Sequence, residues 1–419
     1  MDEKTKVLLK GVDKAAQQTP LQTALQTLLD AVKPGGTEKI DLGDGLDRVL
    51  SEDVTATIDI PDADVSSRDG YAVYSDDVAD ASESNPAILK MVGKVPIGAK
   101  FGKKLKRGEA VQVATGSYKP LGADAVVMVE YTEPVRNTVK VKRAISREKN
   151  IVGKGTDVRK GKVVLQKGEV LRPHKIALLA RLGISKISVH RKPLIGVLST
   201  GDELQDIGRK LEAGKIVDTN RPAVISMVKD AGGLPIDFGI AKDNIESVRK
   251  ALQKALKRCD AVLVSAGSSV GEKDLVVRVL DGLGRPGLLF HGIAMRPASP
   301  TGIAILNGKP LILLPGFPTS ALVSCFVFGR PMISKMSGAS KNLQPIVRAR
   351  LAKRWEARAG TTRLVRVKLL KDDGGLTAVP IEPSDASFIS STYPADGVIE
   401  VTEAIGEMPA GELVDVLLL

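Results

Sequence analysis

"LVSAGSSVGEKD" (residues 263–274) runs an apolar strand into a glycine-bearing turn that ends in an aspartate. The turn is not a Walker loop, which needs four residues between its glycines and then Lys-Ser/Thr. Here Gly267 and Gly271 enclose three residues, and Glu272-Lys273-Asp274 follows. Its meaning depends on what surrounds it. "LIGVLST" (194–200) reads as a strand, and Asn220-Arg221-Pro222 caps the helical stretch "AVISMVKDAGG". A strand over 234–240 precedes an amphipathic helix with Ile245, Val248, Leu252, Ala255 and Leu256 on one face. "AVLVSA" and "LVVRVL" continue the alternation, and "GIAIL-NG-KPLILL" is a hairpin turning at Asn307-Gly308. Alternation over 193–338 predicts a mostly parallel sheet covered on both faces, a three-layer α/β domain. The opening stretch then lies at a strand's carboxyl end, where open α/β sheets hold their ligands.

The rest of the chain has other textures. "LQTALQTLLDAV" (21–32) has helical spacing and stops at Pro34-Gly35-Gly36. Residues 58–149 are short β-rich runs broken by Gly and Pro, such as "AVVMVE" (125–130), and read as a separate β-domain. Residues 339–419 return to short strands, resembling a small β-barrel.

At 419 residues the chain is too long for a single ordinary core. No apolar run nears the roughly 18–20 residues that cross a bilayer, and the N-terminus lacks a signal-peptide layout. With Cys259 and Cys325 alone there is no disulfide framework, so the cytoplasm is the expected location. The net charge of +12 is uneven: ten Lys/Arg face two acids between Arg136 and Lys162, and no basic residue follows Lys371. Aromatics at 3% are poor for stacking on single strands, so no nucleic-acid partner is expected. A field drawing in small anions is the sharper reading of that charge. Three histidines and two cysteines are a poor inventory for zinc or iron, which leaves oxygen-liganded Mg²⁺.

Three loops in the α/β region end strands alike: Thr200-Gly201-Asp202-Glu203, Gly267 to Asp274, and Pro315-Gly316-Phe317-Pro318-Thr319-Ser320. On parallel neighbours they converge on one edge, where glycine turns bring backbone N–H groups to an anion. Glu203 and Asp274 would then hold a cation that screens it. Singly, Asp274 is better read as a helix N-cap, Asp202 and Glu203 as turn residues, and Pro315-Gly316 as a strand terminator; their joint placement at three strand ends favours a site. In the β-domain, "SSRDGYAV" (66–73) holds Asp69-Gly70 as a turn pair, and Thr115-Gly116 also has a turn reading.

Together, "SSRDGYAV", "ATGSYKPLGADAVVMVE", "STGDEL", "KIVDTNRPAVISMVKDAGG", "SAGSSVGEKD" and "LPGFPTSA" occur in the order seen in the molybdopterin molybdotransferase family, which includes the bacterial MoeA proteins and the gephyrin C-terminal domain. The chain resembles that family from about residue 20 to 419. The resemblance implies a discontinuous linker domain (1–57 and 150–192), an inserted β-domain (58–149), a molybdopterin-binding α/β domain (193–338) and a C-terminal β-barrel domain (339–419). It implies insertion of molybdenum or tungsten from molybdate or tungstate into adenylylated molybdopterin, with release of AMP and assistance from Mg²⁺. By the same resemblance Asp69, Thr115, Glu203 and Asp274 are catalytic, with Glu203 and Asp274 on the metal. Gly201, Gly267, Ser268, Ser269, Gly271, Arg296, Pro315, Pro318 and Ser320 bind substrate. Asp69 and Thr115 would reach the site from the partner chain of a homodimer.

Three places depart from the family pattern. Ala266 replaces the first glycine of "GGVSVG", Phe317 replaces the asparagine of "PGNP", and "RPASP" (296–300) replaces "KPGKP". Arg296 keeps one cation of that last loop, and Ser299 gives up the second. The competing readings are the adenylyltransferase built on the same α/β unit, which the flanking domains disfavour, and a scaffold protein.

Overall fold

The computed structural model describes residues 18–266, 275–340, 345–356, 361–382, 389–402 and 407–419. The chain divides into two compact units, one of Met1–Glu52, Lys167–Ile176 and Lys186–Leu419, the other of Asp53–Gln166 and Ala177–Ser185.

The second unit is built on a six-stranded sheet. Its strands are β1 (Gly70–Val73), β2 (Ala87–Val95), β3 (Glu109–Val113), β4 (Ala125–Met128), β5 (Thr132–Val135) and β6 (Thr138–Val141). Their spatial order is β4-β1-β3-β2-β6-β5, and β2 and β3 are the parallel pair. β1 is buried along its whole length. The sequence reads Gly70 as part of a turn; in the structure it opens β1, between β3 and β4. A Cβ there would lie 1.9 Å from the Val127 carbonyl oxygen, so the glycine is required by close strand approach.

In the first unit, helix α1 (Leu21–Ala31) packs Leu21, Ala24 and Leu28 into the larger core. The α/β sheet comprises β7 (Leu194–Thr200), β8 (Leu234–Ala241), β9 (Ala261–Ser265), β10 (Pro286–His291), β11 (Gly302–Leu306) and β12 (Lys309–Leu314). The order is β8-β7-β9-β12-β11-β10. β8, β7, β9 and β12 are mutually parallel, and β11 and β10 add antiparallel edges. Alternation sends Leu263 and Ile312 into one core and Val262, Val264, Leu311 and Leu313 into another. That split is the signature of a sheet covered on both faces. The helices are α2 (Asn220–Asp230), α3 (Ile245–Arg258), α4 (Leu275–Leu280), α5 (Pro318–Ser324) and α6 (Arg330–Met336). α3 buries Val248, Leu252 and Ala255, and Asn244 Oδ1 caps it by accepting the Ser247 N–H at 2.8 Å. The β11–β12 hairpin turns on Asn307 and Gly308, both at positive φ.

The C-terminal part is a closed barrel of β13 (Ile346–Leu351), β14 (Thr362–Asp372), β15 (Gly375–Pro380), β16 (Gly397–Val401) and β17 (Leu413–Leu418). The order β14-β15-β13-β17-β16 closes because β14 also pairs with β16. Closure leaves the barrel without exposed edges.

Gly70→Ala is expected to destabilise the 53–166 unit by about 3 kcal/mol, at the upper end of overpacking costs. Hydrogen exchange should show lost protection in peptides spanning β1, β3 and β4 while β7, β9 and β12 keep theirs. Unchanged protection would mean the strands separate without cost.

Candidate active site

β7, β9 and β12 are neighbours in register, with Ser199 opposite Ser265 and Ser265 opposite Leu314. Their carboxyl ends therefore share one edge, as expected of the three loops. Gly201 and Glu203 follow β7, and Pro315, Pro318 and Ser320 follow β12. Gly267, Ser268, Ser269, Gly271 and Asp274 lie outside the described residues.

Asn220 joins two of these strand ends. Its Nδ2 donates to Ser265 Oγ and to the Gly316 carbonyl, each at 2.8 Å. The residue is only 8 % exposed, and its Oδ1 has no hydrogen-bond partner. Ser199 Oγ, on the neighbouring strand, is also buried without one. Sequence reasoning took Asn220 as part of a helix cap. In the structure it is the first residue of α2, and it reaches across the sheet edge instead. The available signal was the polar run Asp218-Thr219-Asn220-Arg221 ahead of an apolar helix.

Arg221 anchors that turn. It is 9 % exposed and pairs with Asp218 (3.0 Å), Asp237 (2.5 Å) and Asp206. Burial opposes its charge, but hydrogen bonds to Asp237 and Asp218 outweigh that and hold its pKa above the usual arginine value.

The exposed Glu203 folds its carboxylate over Gly201, where a Cβ would meet Glu203 Oε1 at 2.7 Å. Beside it, Asp202 and Asp243 exchange backbone N–H to carboxylate bonds at 3.2 and 3.3 Å. Asp243, just past β8, was missed by sequence reasoning. Among the described residues no three His, Cys, Asp or Glu side chains cluster as a metal cage. A hard cation that keeps waters and substrate phosphates needs only one or two carboxylates. Glu203, at the glycine turn, fits that mode.

Arg296 is exposed; its backbone pairs with the strand Thr362–Asp372, and its guanidinium has no hydrogen bond or ion pair among the described residues. Ser299 points inward, 6 % exposed, donating to the Ile293 carbonyl (3.0 Å) and accepting from Gln18 Nε2 (2.7 Å). The serine that replaces a family lysine is thus a structural hydroxyl, and the cation of this loop is Arg296 alone. Pro315 and Ser320 are buried, and Pro318 opens α5 where its missing N–H costs nothing. Phe317 is exposed at the helix cap position. Thr319 and Thr392 share a 2.6 Å hydroxyl bond, which ties this loop to the barrel. Nearby in sequence, Ser391 accepts from the buried Arg366 through its carbonyl and Oγ, each at 3.1 Å. Burial alone pushes the Arg366 pKa down. Sequence reasoning missed this cation, whose partner lies 25 residues away.

In the other unit the structure brings Asp69 and Thr115 together. Asp69 Oδ1 accepts the Thr115 N–H at 2.7 Å and its hydroxyl at 3.2 Å, and both residues are exposed. Neither thiol is poised for catalysis, since burial pushes Cys259 up to about 11 and Cys325 up to about 12.

A mostly parallel sheet with a glycine turn and carboxylates at its carboxyl edge, followed by a closed barrel, is an α/β ligand-binding domain with an appended β-barrel. Residues 196–335 match the probable molybdopterin binding domain, residues 19–183 the MoeA N-terminal region (domain I and II), and residues 348–419 the MoeA C-terminal region (domain IV). The chain belongs to the MoeA family. A putative molybdopterin biosynthesis protein of Methanocaldococcus jannaschii is 35% identical, covering 91% of this chain and 92% of its own. The molybdopterin molybdenumtransferase of Bacillus subtilis is 33% identical, covering 96% and 94%. A crystal structure of the molybdopterin biosynthesis MoeA protein of Pyrococcus horikoshii superposes with a TM-score of 0.85 at 32% identity, covering 96% of this chain and 100% of that one. No described helix is long and apolar enough to cross a membrane.

Asn220→Ala leaves a buried hydroxyl and carbonyl without their donor, at an expected cost of about 1–3 kcal/mol. Urea unfolding followed by far-UV circular dichroism measures it. Wild-type stability would mean the tie between strand ends is not structural.

Proposed function

We propose that the protein is a molybdopterin molybdenumtransferase acting in molybdenum cofactor biosynthesis. Adenylylated molybdopterin and molybdate or tungstate are the substrates; AMP and the metal-loaded cofactor are the products. The carrying observation is the junction of the β9 end and the β12 loop through Asn220, in a chain similar over its whole length to enzymes of that name. On this reading the four domains are those expected from the sequence.

The backbone of the Gly201 turn and the loop containing Gly267, Ser268, Ser269 and Gly271 cradles the phosphates. Pro315, Pro318 and Ser320 wall the pterin side. Glu203 and Asp274 would hold Mg²⁺, which when bound neutralises phosphate charge. Arg296 offers a planar fork of donors to the tetrahedral oxyanion and stays charged at any working pH. Asp69, held by two hydrogen bonds from Thr115, would be presented to the site by the partner chain of a homodimer.

The direct test is incubation with adenylylated molybdopterin and each oxyanion, reading AMP release. No AMP release with either oxyanion would sink the assignment. Arg296→Ala should raise the oxyanion concentration for half-maximal rate by about fivefold. An exposed charged contact is worth about 1 kcal/mol, less than a buried one. Unchanged titrations of both oxyanions would place the anion elsewhere. Mixing inactive Asp69→Ala and Glu203→Ala chains should restore activity in mixed dimers. No recovery in verified mixed dimers would assign the site to a single chain.

A further inference from the structure

The opposite edge of the α/β sheet holds a cavity of about 370 Å³. Lys192, just ahead of β7, and Lys229, at the end of α2 ahead of β8, line it together with His190 and the α6 residues Arg330 and Ser334. β7 and β8 are parallel, so this is the edge where they start, and the candidate active site is where they end.

Its charges are unbalanced. Arg172 is held by Asp47, Arg330 by Asp230 and Arg48 by Glu38. The ammonium groups of Lys192 and Lys229 have no carboxylate or hydrogen-bond partner among the described residues. One deeply buried side chain in the same wall is incompletely paired. His190, 7 % exposed, has Nδ1 3.2 Å from the Gly35 carbonyl and no partner for Nε2.

Lysines beside a helix's carboxyl end also serve its free carbonyls. At α2 three of the four are already taken: the N–H groups of Ala231, Gly232 and Gly233 donate to Met227, Lys229 and Val228. The lysine charges are therefore left for something else.

We propose that this cavity is a second anion site that binds the phosphate group of a phosphorylated small molecule. Lys192 and Lys229 supply charge-assisted hydrogen bonds to the phosphate oxygens. Its volume falls within the range of small-molecule sites and leaves room beyond a phosphate for the body of the ligand. The site does not depend on the transfer reaction proposed above.

The test is isothermal titration of the full chain at low ionic strength, where screening is weakest, with ribose 5-phosphate and with inorganic phosphate. Saturable binding of ribose 5-phosphate is expected. Lys192→Ala and Lys229→Ala should each weaken it about tenfold, and the double variant should abolish it. Both ammonium groups lack partners among the described residues, so the variants should melt at the wild-type temperature, while Arg296→Ala, at the other edge, should bind as wild type. No saturable binding in the wild type, or full affinity in the double variant, overturns the site. Equal affinity for inorganic phosphate overturns the small-molecule ligand.

Discussion

Asn220 Nδ2 reaches two partners that lie 45 and 96 residues further along the chain, the Ser265 hydroxyl and the Gly316 carbonyl. The end of β9 and the loop after β12 each carry part of the candidate site, and this carboxamide fixes their separation. It can do so because α2 itself is fixed. Asp218 accepts both the Arg221 backbone N–H and its Nε, and Asp237 and Asp206 take the rest of the guanidinium. Such a cluster, buried at Arg221 and Asp218 and half open at Asp206 and Asp237, gains little net stability, because desolvation offsets the buried attraction and solvent screens the rest. What it supplies is position: it orients the first turn of α2 so that Asn220 faces the sheet edge.

The other unit follows the same logic with different means. Asp69 immediately precedes Gly70, whose missing side chain lets β1 approach β4 until only a hydrogen fits against the Val127 carbonyl. The Asp69 carbonyl accepts from Val129 N at 3.0 Å, and its carboxylate takes both donors of Thr115. Its position is thus set by backbone on one side and by a side chain on the other. A carboxylate held this way loses little freedom on meeting a substrate, which is how pre-organisation lowers the cost of binding.

Features set by local pattern were legible in the sequence. Strand and helix order in the α/β region, the apolar face of α3, and the Asn307-Gly308 hairpin all follow from periodicity and turn chemistry. Roles set by distant partners were not. Asn220 looks like a capping residue until Ser265 and Gly316 are placed beside it, and Gly70 looks like a turn residue until Val127 is. Nothing in the local pattern marks Arg366, yet it is buried with its donors on Ser391. Ser299 reads as a lost cation, and its inward hydrogen bonds appear only when Gln18 is brought to it. In each case the deciding partner is too far along the chain for spacing to reveal.

The carboxyl edge also carries a constraint on its ligand. Asp202, Glu203 and Asp243 gather at the ends of β7 and β8, where an anionic substrate would otherwise meet like charge. Two such charges about 5 Å apart repel by roughly 3 kcal/mol at an effective dielectric of about 20. Mutual backbone hydrogen bonds tie Asp202 and Asp243 into the turn, whereas the Glu203 carboxylate has no such partner among the described residues and lies over Gly201. On the proposed reading, a phosphate-bearing substrate would approach Glu203 favourably only with a cation between them. The uncompensated carboxylate and the glycine turn are therefore compatible at one edge when the ligand and its counter-ion bind together.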